Sequence, residues 1–265
     1  MKIVCLKGGL GNQMFEYCRF RDLMESGHDE VYLFYDHRRL KQHNGLRLSD
    51  CFELELPSCP WGVKLVVWGL KICRAVGVLK RLYDDEKPEA VLIDDYSQHR
   101  RFIPNARRYF FFRQFLAELQ SGFVQMIRAV DYPVSVHVRR GDYLHPSNSS
   151  FGLCGVDYFQ QAIAYVRKKR PDARFFFFSD DMEWVRENLW MEDAVYVEHT
   201  ELLPDYVDLY LMTLCRGHII SNSTFSFWGA YLAVDGNGMK IYPRRWFRDP
   251  TWTSPPLFSE GWVGL

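Results

Sequence analysis

Short apolar runs alternate along the chain with longer stretches whose apolar positions recur at helical spacing. The runs at 2–6, 31–35, 90–94, 133–138, 174–178, 194–197, 217–221 and 239–242 read as strands. Stretches 12–25, 63–82, 109–129, 157–169, 206–216 and 225–234 read as helices. Several strands, such as VYLFY, RFFFF and GHII, are apolar almost without interruption. A strand buried on both faces needs that pattern, as in a parallel sheet covered by helices on each side. The expected fold is therefore α/β, with open sheets that take ligands at the carboxyl ends of their strands. The break Asp131-Tyr132-Pro133 divides the chain into halves 1–130 and 131–265. The Pro-containing tail, 249–265, is expected to pack back across the first half.

Composition narrows the partners. The 265 residues carry 33 Lys+Arg against 33 Asp+Glu, so net charge argues against a dedicated nucleic-acid or membrane-surface binder. Locally, Lys64, Lys71 and Arg74 share one face of the 63–82 helix. That face reads first as a solvated surface over a packed one. The other reading is a basic surface that meets anionic lipid or a lipid-linked acceptor. Seven cysteines without a C-x-x-C spacing fit a reducing cytoplasm and give no support for a zinc site. The start, MKIVCLKGGLGNQ, lacks the apolar core and cleavage site of a signal peptide. No stretch reaches the roughly 20 apolar residues of a membrane span.

Four segments carry candidate chemistry. The strand VSVHV runs into Arg139-Arg140-Gly141-Asp142-Tyr143. Strand alternation sets His137 and Arg139 on one side and Arg140 on the other. A guanidinium at the carboxyl edge of a sheet suits phosphate oxygens. The competing role, simple pairing with Asp142, falls to Arg140 more readily than to Arg139. Next, RFFFF opens into Ser179-Asp180-Asp181. These acids can accept hydrogen bonds from a base or ribose, hold a metal, or cap the helix begun by MEWVREN. The chain has no D-x-D, which disfavours the metal. The third segment, Ser221-Asn222-Ser223-Thr224 and then Ser226, lies between a strand and a helix, where backbone amides attract anions. The fourth, Lys7-Gly8-Gly9-Leu10-Gly11-Asn12-Gln13, permits close backbone approach and places Asn12 and Gln13 toward a polar ligand. It matches a dinucleotide fingerprint only loosely.

Together GGLGNQMF, HVRRGDY, SDD and SNSTFSFWGA, with HNGLRLSDCFEL after the second strand, resemble the α-1,2-fucosyltransferases of bacteria and animals. The resemblance runs from Gly8 to about Tyr242, with Phe227 where many members carry Trp and no close match over 60–131. It implies two Rossmann-like halves facing a cleft, the GT-B arrangement. It also implies GDP-fucose as donor, a galactose-containing glycan as acceptor, inversion at the anomeric carbon and no required metal or other cofactor. By motif, His137 and Arg139 would contact the diphosphate and Asp180 the guanosine. Ser221, Asn222, Ser223 and Ser226 would line the phosphate side, while Gly11, Asn12 and Gln13 approach from the other half.

The chemistry of such a transfer agrees with the residues present. The departing diphosphate gains negative charge, and without a metal a fixed cation must meet it, a role that suits Arg139. Asp142 is the nearest carboxylate, either as base for the acceptor hydroxyl or as the group that orients Arg139 or Arg140. A strongly dissociative transition state needs no dedicated base. Two other classes stay in view: a transferase of the same fold with a different GDP-sugar or acceptor, and a non-catalytic nucleotide- or glycan-binding module. The expected setting is cytoplasmic, with peripheral membrane contact through the acceptor.

Overall fold

The computed structural model describes residues 1–41, 44–85, 87–119, 122–148, 150–198 and 203–265. The chain forms two compact units, Met1–Arg113 and Gln114–Leu265. In the first, β1 (Lys2–Leu6), β2 (Val31–Tyr35) and β3 (Leu92–Ile93) make a parallel sheet in the order β2-β1-β3. Helix α1 (Leu10–Glu25) follows β1, and single turns α2 (His37–Leu40) and α3 (Leu48–Cys51) precede α4 (Trp61–Ala75). Helix α4 packs through Val63, Val67 and Leu70 onto Ile3, Cys5, Phe34 and Leu92. Gly77, with φ +75°, ends it: the amides of Val76, Gly77 and Val78 turn back to the carbonyls of Ile72, Arg74 and Cys73. The helix expected over 63–82 therefore stops at Ala75. Its outward side is not the solvated basic face expected, because Trp61, Leu65, Trp68 and Ile72 are exposed there.

The second unit holds α5 (Gln114–Ala117), α6 (Gly122–Arg128), β4 (Tyr132–Val138), α7 (Val156–Lys169), β5 (Ala173–Ser179), α8 (Met182–Asn188) and β6 (Val195–Tyr196). It continues with α9 (Tyr206–Leu214), β7 (Gly217–Ile219), α10 (Thr224–Tyr231), β8 (Lys240–Tyr242) and β9 (Trp262–Gly264). Its sheet is parallel throughout in the order β6-β5-β4-β7-β8-β9. This is the doubly wound strand order, with its reversal between β4 and β7, where such sheets hold ligands. All seven residues of β4 are buried. Val134, Val136, Val138, Phe175 and Phe177 share a core with Phe159, Ala162 and Val166 of α7. Their alternates Ser135, His137, Phe176 and Phe178 are buried on the opposite face. Both faces are covered, as the continuous apolar runs require.

Three expectations are corrected. The helix expected over 109–129 does not form as one piece. Phe112 bridges antiparallel to Phe52, the Glu53 amide donates to Phe111, and the rings of Phe110 and Phe112 lie 4.9 and 5.0 Å from that of Phe52. Cross-strand aromatic contact thus overrides helical periodicity there. The boundary consequently falls after Arg113 rather than after residue 130, because α6 packs against α9. The tail belongs to the second unit's own sheet: Trp262–Gly264 adds β9 beside β8, and Trp262 stacks on Phe227 at 5.5 Å.

One buried polar pair gives this unit a pH signature. On the row Ser135↔His218, His218 Nδ1 lies 2.8 Å from the Ser135 hydroxyl. Burial, with Lys240 adding repulsion, pushes the imidazole from 6.5 down to about 3. The folded state keeps the ring neutral while the unfolded chain binds a proton below 6.5. Stability from this site is therefore complete above pH 6.5 and is lost on acidification toward the folded value. The expected slope is about 1.4 kcal/mol per pH unit. Urea unfolding of the wild type and His218→Asn between these limits should show the slope reduced by that amount in the variant. Parallel pH curves would remove His218 as the cause.

Candidate functional site

Strand β4 pairs with β5 in a register that ends at Val138↔Ser179. Two further residues along each chain set Arg139 opposite Asp180 and Arg140 opposite Asp181, and the side chains pair in that order. Arg139 Nη1 lies 3.0 Å from Asp180 Oδ2, and Arg140 Nε lies 2.9 Å from Asp181 Oδ2. Asp142 adds a second carboxylate to Arg139, its Oδ1 receiving Nε at 2.9 Å and Nη2 at 2.8 Å. The expectation that Asp142 would pair with Arg140 is thereby reversed. Arg140 belongs to Asp181 and lies 4.0 Å over the Trp184 ring. Of these contacts the Arg139 Nε–H donates a hydrogen bond to Asp142, while the two terminal nitrogens stand in ion-pair contact with Asp142 and Asp180.

Asp180 is the hub of this edge. Its Oδ1 also accepts the Arg140 backbone amide at 2.9 Å. A Cβ at position 141 would stand 2.5 Å from its Oδ2, which explains glycine in the RRGD turn. Asp181 caps α8 through the Trp184 amide at 3.2 Å, and Arg140 holds its carboxyl below the usual aspartate range. Each member of the acidic pair thus faces its own arginine. Among the described residues no group of three or more His, Cys, Asp or Glu converges as metal ligands would.

Across the strand-order reversal, the Ser221 hydroxyl lies 2.9 Å from His137 Nδ1. Burial pushes the His137 imidazole well down, so the ring is neutral and contributes a hydrogen-bonding atom rather than a charge. The Asn222 side chain, expected to face a ligand, binds the chain instead. Its Nδ2 reaches the carbonyls of Phe151, Gly152 and Trp246 at 3.0, 3.3 and 2.8 Å, and its Oδ1 accepts from Cys154. Ser226 donates to the Ser223 carbonyl at 3.1 Å. Ser223 stands at the N-cap of α10 with no side-chain cap hydrogen bond. The polar run therefore organises loops through Ser221, Asn222 and Ser226, and only Ser223 keeps the position expected of an anion-binding helix start.

Sequence reasoning gave no role to Tyr143, which walls a cavity of about 710 Å³. Its ring lies 5.9 Å from the Arg139 guanidinium and stacks on Phe151 at 5.1 Å, and its hydroxyl donates to the Asn222 carbonyl. Phe151, Tyr158, Phe247, Arg245 and Arg248 form other walls, and among the described residues no Asp or Glu lines the space. The volume falls within the roughly 300–1,000 Å³ of small-ligand sites. The signal in the sequence was the aromatic and basic run YPRRWFRD after β8.

The remaining predicted residues lie in the first unit. Gly8 has φ +69°, and a Cβ there would meet Asn12 Nδ2 at 2.7 Å. Gln13 is fully buried: its Nε2 donates to the carbonyls of Gly8 and Gly45, both at 2.9 Å, and its Oε1 accepts the Arg47 amide at 3.0 Å. Gln13 thus ties the glycine turn to the segment after β2 rather than facing a ligand. His43 of that segment lies outside the described residues. Asn12 Oδ1 accepts from Gln98, and Gly11 is buried. Behind the turn, the Lys7 amide donates to buried Glu16 at 2.8 Å, and burial raises that carboxyl well above its usual range.

The profile described as Glycosyl transferase family 11 matches residues 105–265. The chain is 28% identical to an α-1,2-colitosyltransferase of Escherichia coli over 98% of its own length and 97% of that protein's. It is 25% identical to the O-antigen biosynthesis glycosyltransferase WbnK of the same species, over 98% and 99%. With human galactoside α-(1,2)-fucosyltransferase 1 it shares 35% identity over 42% of this chain and 33% of that one. The NodZ α-1,6-fucosyltransferase, solved after soaking with GDP-fucose, has the same fold. Its TM-score is 0.52 at 15% identity, covering 87% of this chain and 91% of that one.

Removing the Gln13 amide should cost stability, since it would leave two carbonyls and one amide without their buried partner. Gln13→Ala is expected to lose about 2–4 kcal/mol in urea unfolding. An unchanged midpoint would mean that the three hydrogen bonds contribute nothing.

Proposed function

Because this chain belongs to glycosyl transferase family 11, we propose that it transfers L-fucose from GDP-fucose to the 2-hydroxyl of a terminal galactose in a glycan. The observation that carries the reading is Arg139, pinned between Asp142 and Asp180 at the carboxyl edge of a doubly wound sheet. The acceptor hydroxyl attacks the anomeric carbon from the face opposite the nucleotide. The bond to the diphosphate oxygen breaks, its electron pair stays with GDP, and the hydroxyl proton is released as the new glycosidic bond closes. Arg139 meets the charge that grows on the diphosphate with its terminal guanidinium nitrogens.

Asp142, with Oδ1 already shared by two Arg139 nitrogens, acts through Arg139 as its orienter. Neutral His137 supplies one hydrogen bond to the phosphates from its Nε2 side, and Ser223 marks the helix start that faces them. Asp180 retains lone pairs for the guanosine beside its contacts to Arg139 and the Arg140 amide. The cavity beside Tyr143 offers flat aromatic walls against which sugar C–H faces pack. A second reading keeps this chemistry and changes the donor sugar. It is favoured by the full-length likeness to a colitosyltransferase.

Incubation with GDP-fucose and a β-galactoside should yield an α-1,2-linked product, and a chelator should leave the rate unchanged. Product formed only from another GDP-sugar would favour the second reading, and transfer abolished by chelation would contradict a metal-free mechanism. Arg139→Lys keeps the charge but loses the fork, so kcat should fall about 100-fold or more with the fold intact. Wild-type turnover in that variant would remove Arg139 from the reaction. Gly141→Ala should displace Asp180 and, through it, Arg139, lowering kcat/KM on the order of 100-fold. Unaltered kinetics would show that this edge tolerates movement.

A further inference from the structure

We propose that α4 is a membrane-docking helix that lies flat on an anionic lipid surface. The helix has two apolar stripes. Val63, Val67 and Leu70 are buried on the first sheet. At roughly 100° per residue, Trp61, Leu65, Trp68 and Ile72 fall within about 60° of one another on nearly the opposite side. They are 64%, 50%, 47% and 66% exposed. The Trp61 and Trp68 rings meet edge to face at 5.6 Å, so the exposed stripe is a formed patch. Beyond the helix end, Val76, Val78 and Leu79 prolong it and are also exposed. Scattered exposed apolar residues are ordinary in a folded protein, whereas a contiguous stripe marks a surface that meets an apolar phase.

The charges around the stripe identify that phase. Residues 61–83 contain Lys64, Lys71, Arg74, Lys80 and Arg81 and no Asp or Glu, although the whole chain is neutral. Lys71 and Arg74 lean toward Asp94 at 4.0 and 3.4 Å. Lys64, Lys80 and Arg81 pair with no carboxylate among the described residues. Gly62 and Gly69 stand on the other flank and leave the helix backbone low there. Fifteen residues are too few to cross a bilayer, and among the described residues no helix is long and apolar enough to do so. A helix with an apolar stripe bearing tryptophans, flanked by cations, settles at the headgroup boundary of an anionic leaflet. Docking there would hold the enzyme beside a membrane-borne acceptor, an advantage that does not depend on which sugar is transferred.

The test is co-sedimentation of the full chain with vesicles of phosphatidylcholine alone or mixed with phosphatidylglycerol. The chain should pellet with the anionic vesicles and stay in solution with the neutral ones. Added salt should release it. Trp68→Glu with Ile72→Glu should abolish pelleting. Lys64→Glu with Lys80→Glu should weaken it by on the order of fivefold for each cation removed. Trp68, Ile72 and Lys80 are exposed and Lys64 is half-buried without a carboxylate partner among the described residues, so thermal melting and transfer to a soluble acceptor should match the wild type. Wild-type protein left in the supernatant with anionic vesicles would overturn the proposal. So would variants that pellet equally well. A dimer in solution that Trp68→Glu dissociates, without vesicle binding, would assign the stripe to a second copy instead. Activity on soluble acceptor is read separately, so loss of docking and failure of the proposed reaction are distinguishable.

Discussion

The site of the second unit depends on one backbone constraint, the parallel register of β4 and β5. Tyr132 stands opposite Ala173, and the ladder holds to Val138 opposite Ser179. Because both strands are buried and one is a run of phenylalanines, a slip by one residue would turn every buried side chain to the wrong face. The register is thus fixed by packing far from the chemistry. What it delivers beyond the strand ends is two arginines opposite two aspartates, matched in order. The Ser179 hydroxyl, donating to the Val138 carbonyl at 2.9 Å, ties the two ends together.

The two arginines then separate by environment. Arg140 stacks on Trp184 and joins the Asp181 cap of α8, which makes it part of the scaffold. Arg139 is about one-third exposed, so its pairs with Asp142 and Asp180 add little to stability after solvent screening. Their effect is geometric. Two carboxylates against a planar guanidinium restrict its orientation. A cation already in position needs no reorganisation when charge develops before it. The same pairs also moderate the site's charge before an anion arrives.

Much of the scaffold was legible in the sequence because apolar run and buried strand are the same physical fact. Eight strands lie where the runs stand, while β9, ending in Trp-Val-Gly among turns, carried too little pattern to be seen. The aromatic run at 109–112 misled because periodicity does not distinguish a helix from an extended segment that meets Phe52 across the sheet direction. At the candidate site, residue types pointed to the carboxyl edge of the sheet but not to the partners each side chain takes there. Asn222 and Gln13 looked like ligand contacts since both are polar beside glycine or serine. The structure gives their amides to backbone carbonyls, which sequence cannot rank against a ligand. Helix α4 was read by its lysines, while its tryptophans decide its surface.

The affinity of the folded protein for GDP relative to GMP, measured calorimetrically in the wild type and in Arg139→Met, tests the role of this guanidinium most directly. If Arg139 meets the outer phosphate, the wild type should favour GDP clearly and the variant should bind the two almost equally. A preference for GDP that survives the substitution undiminished would contradict it.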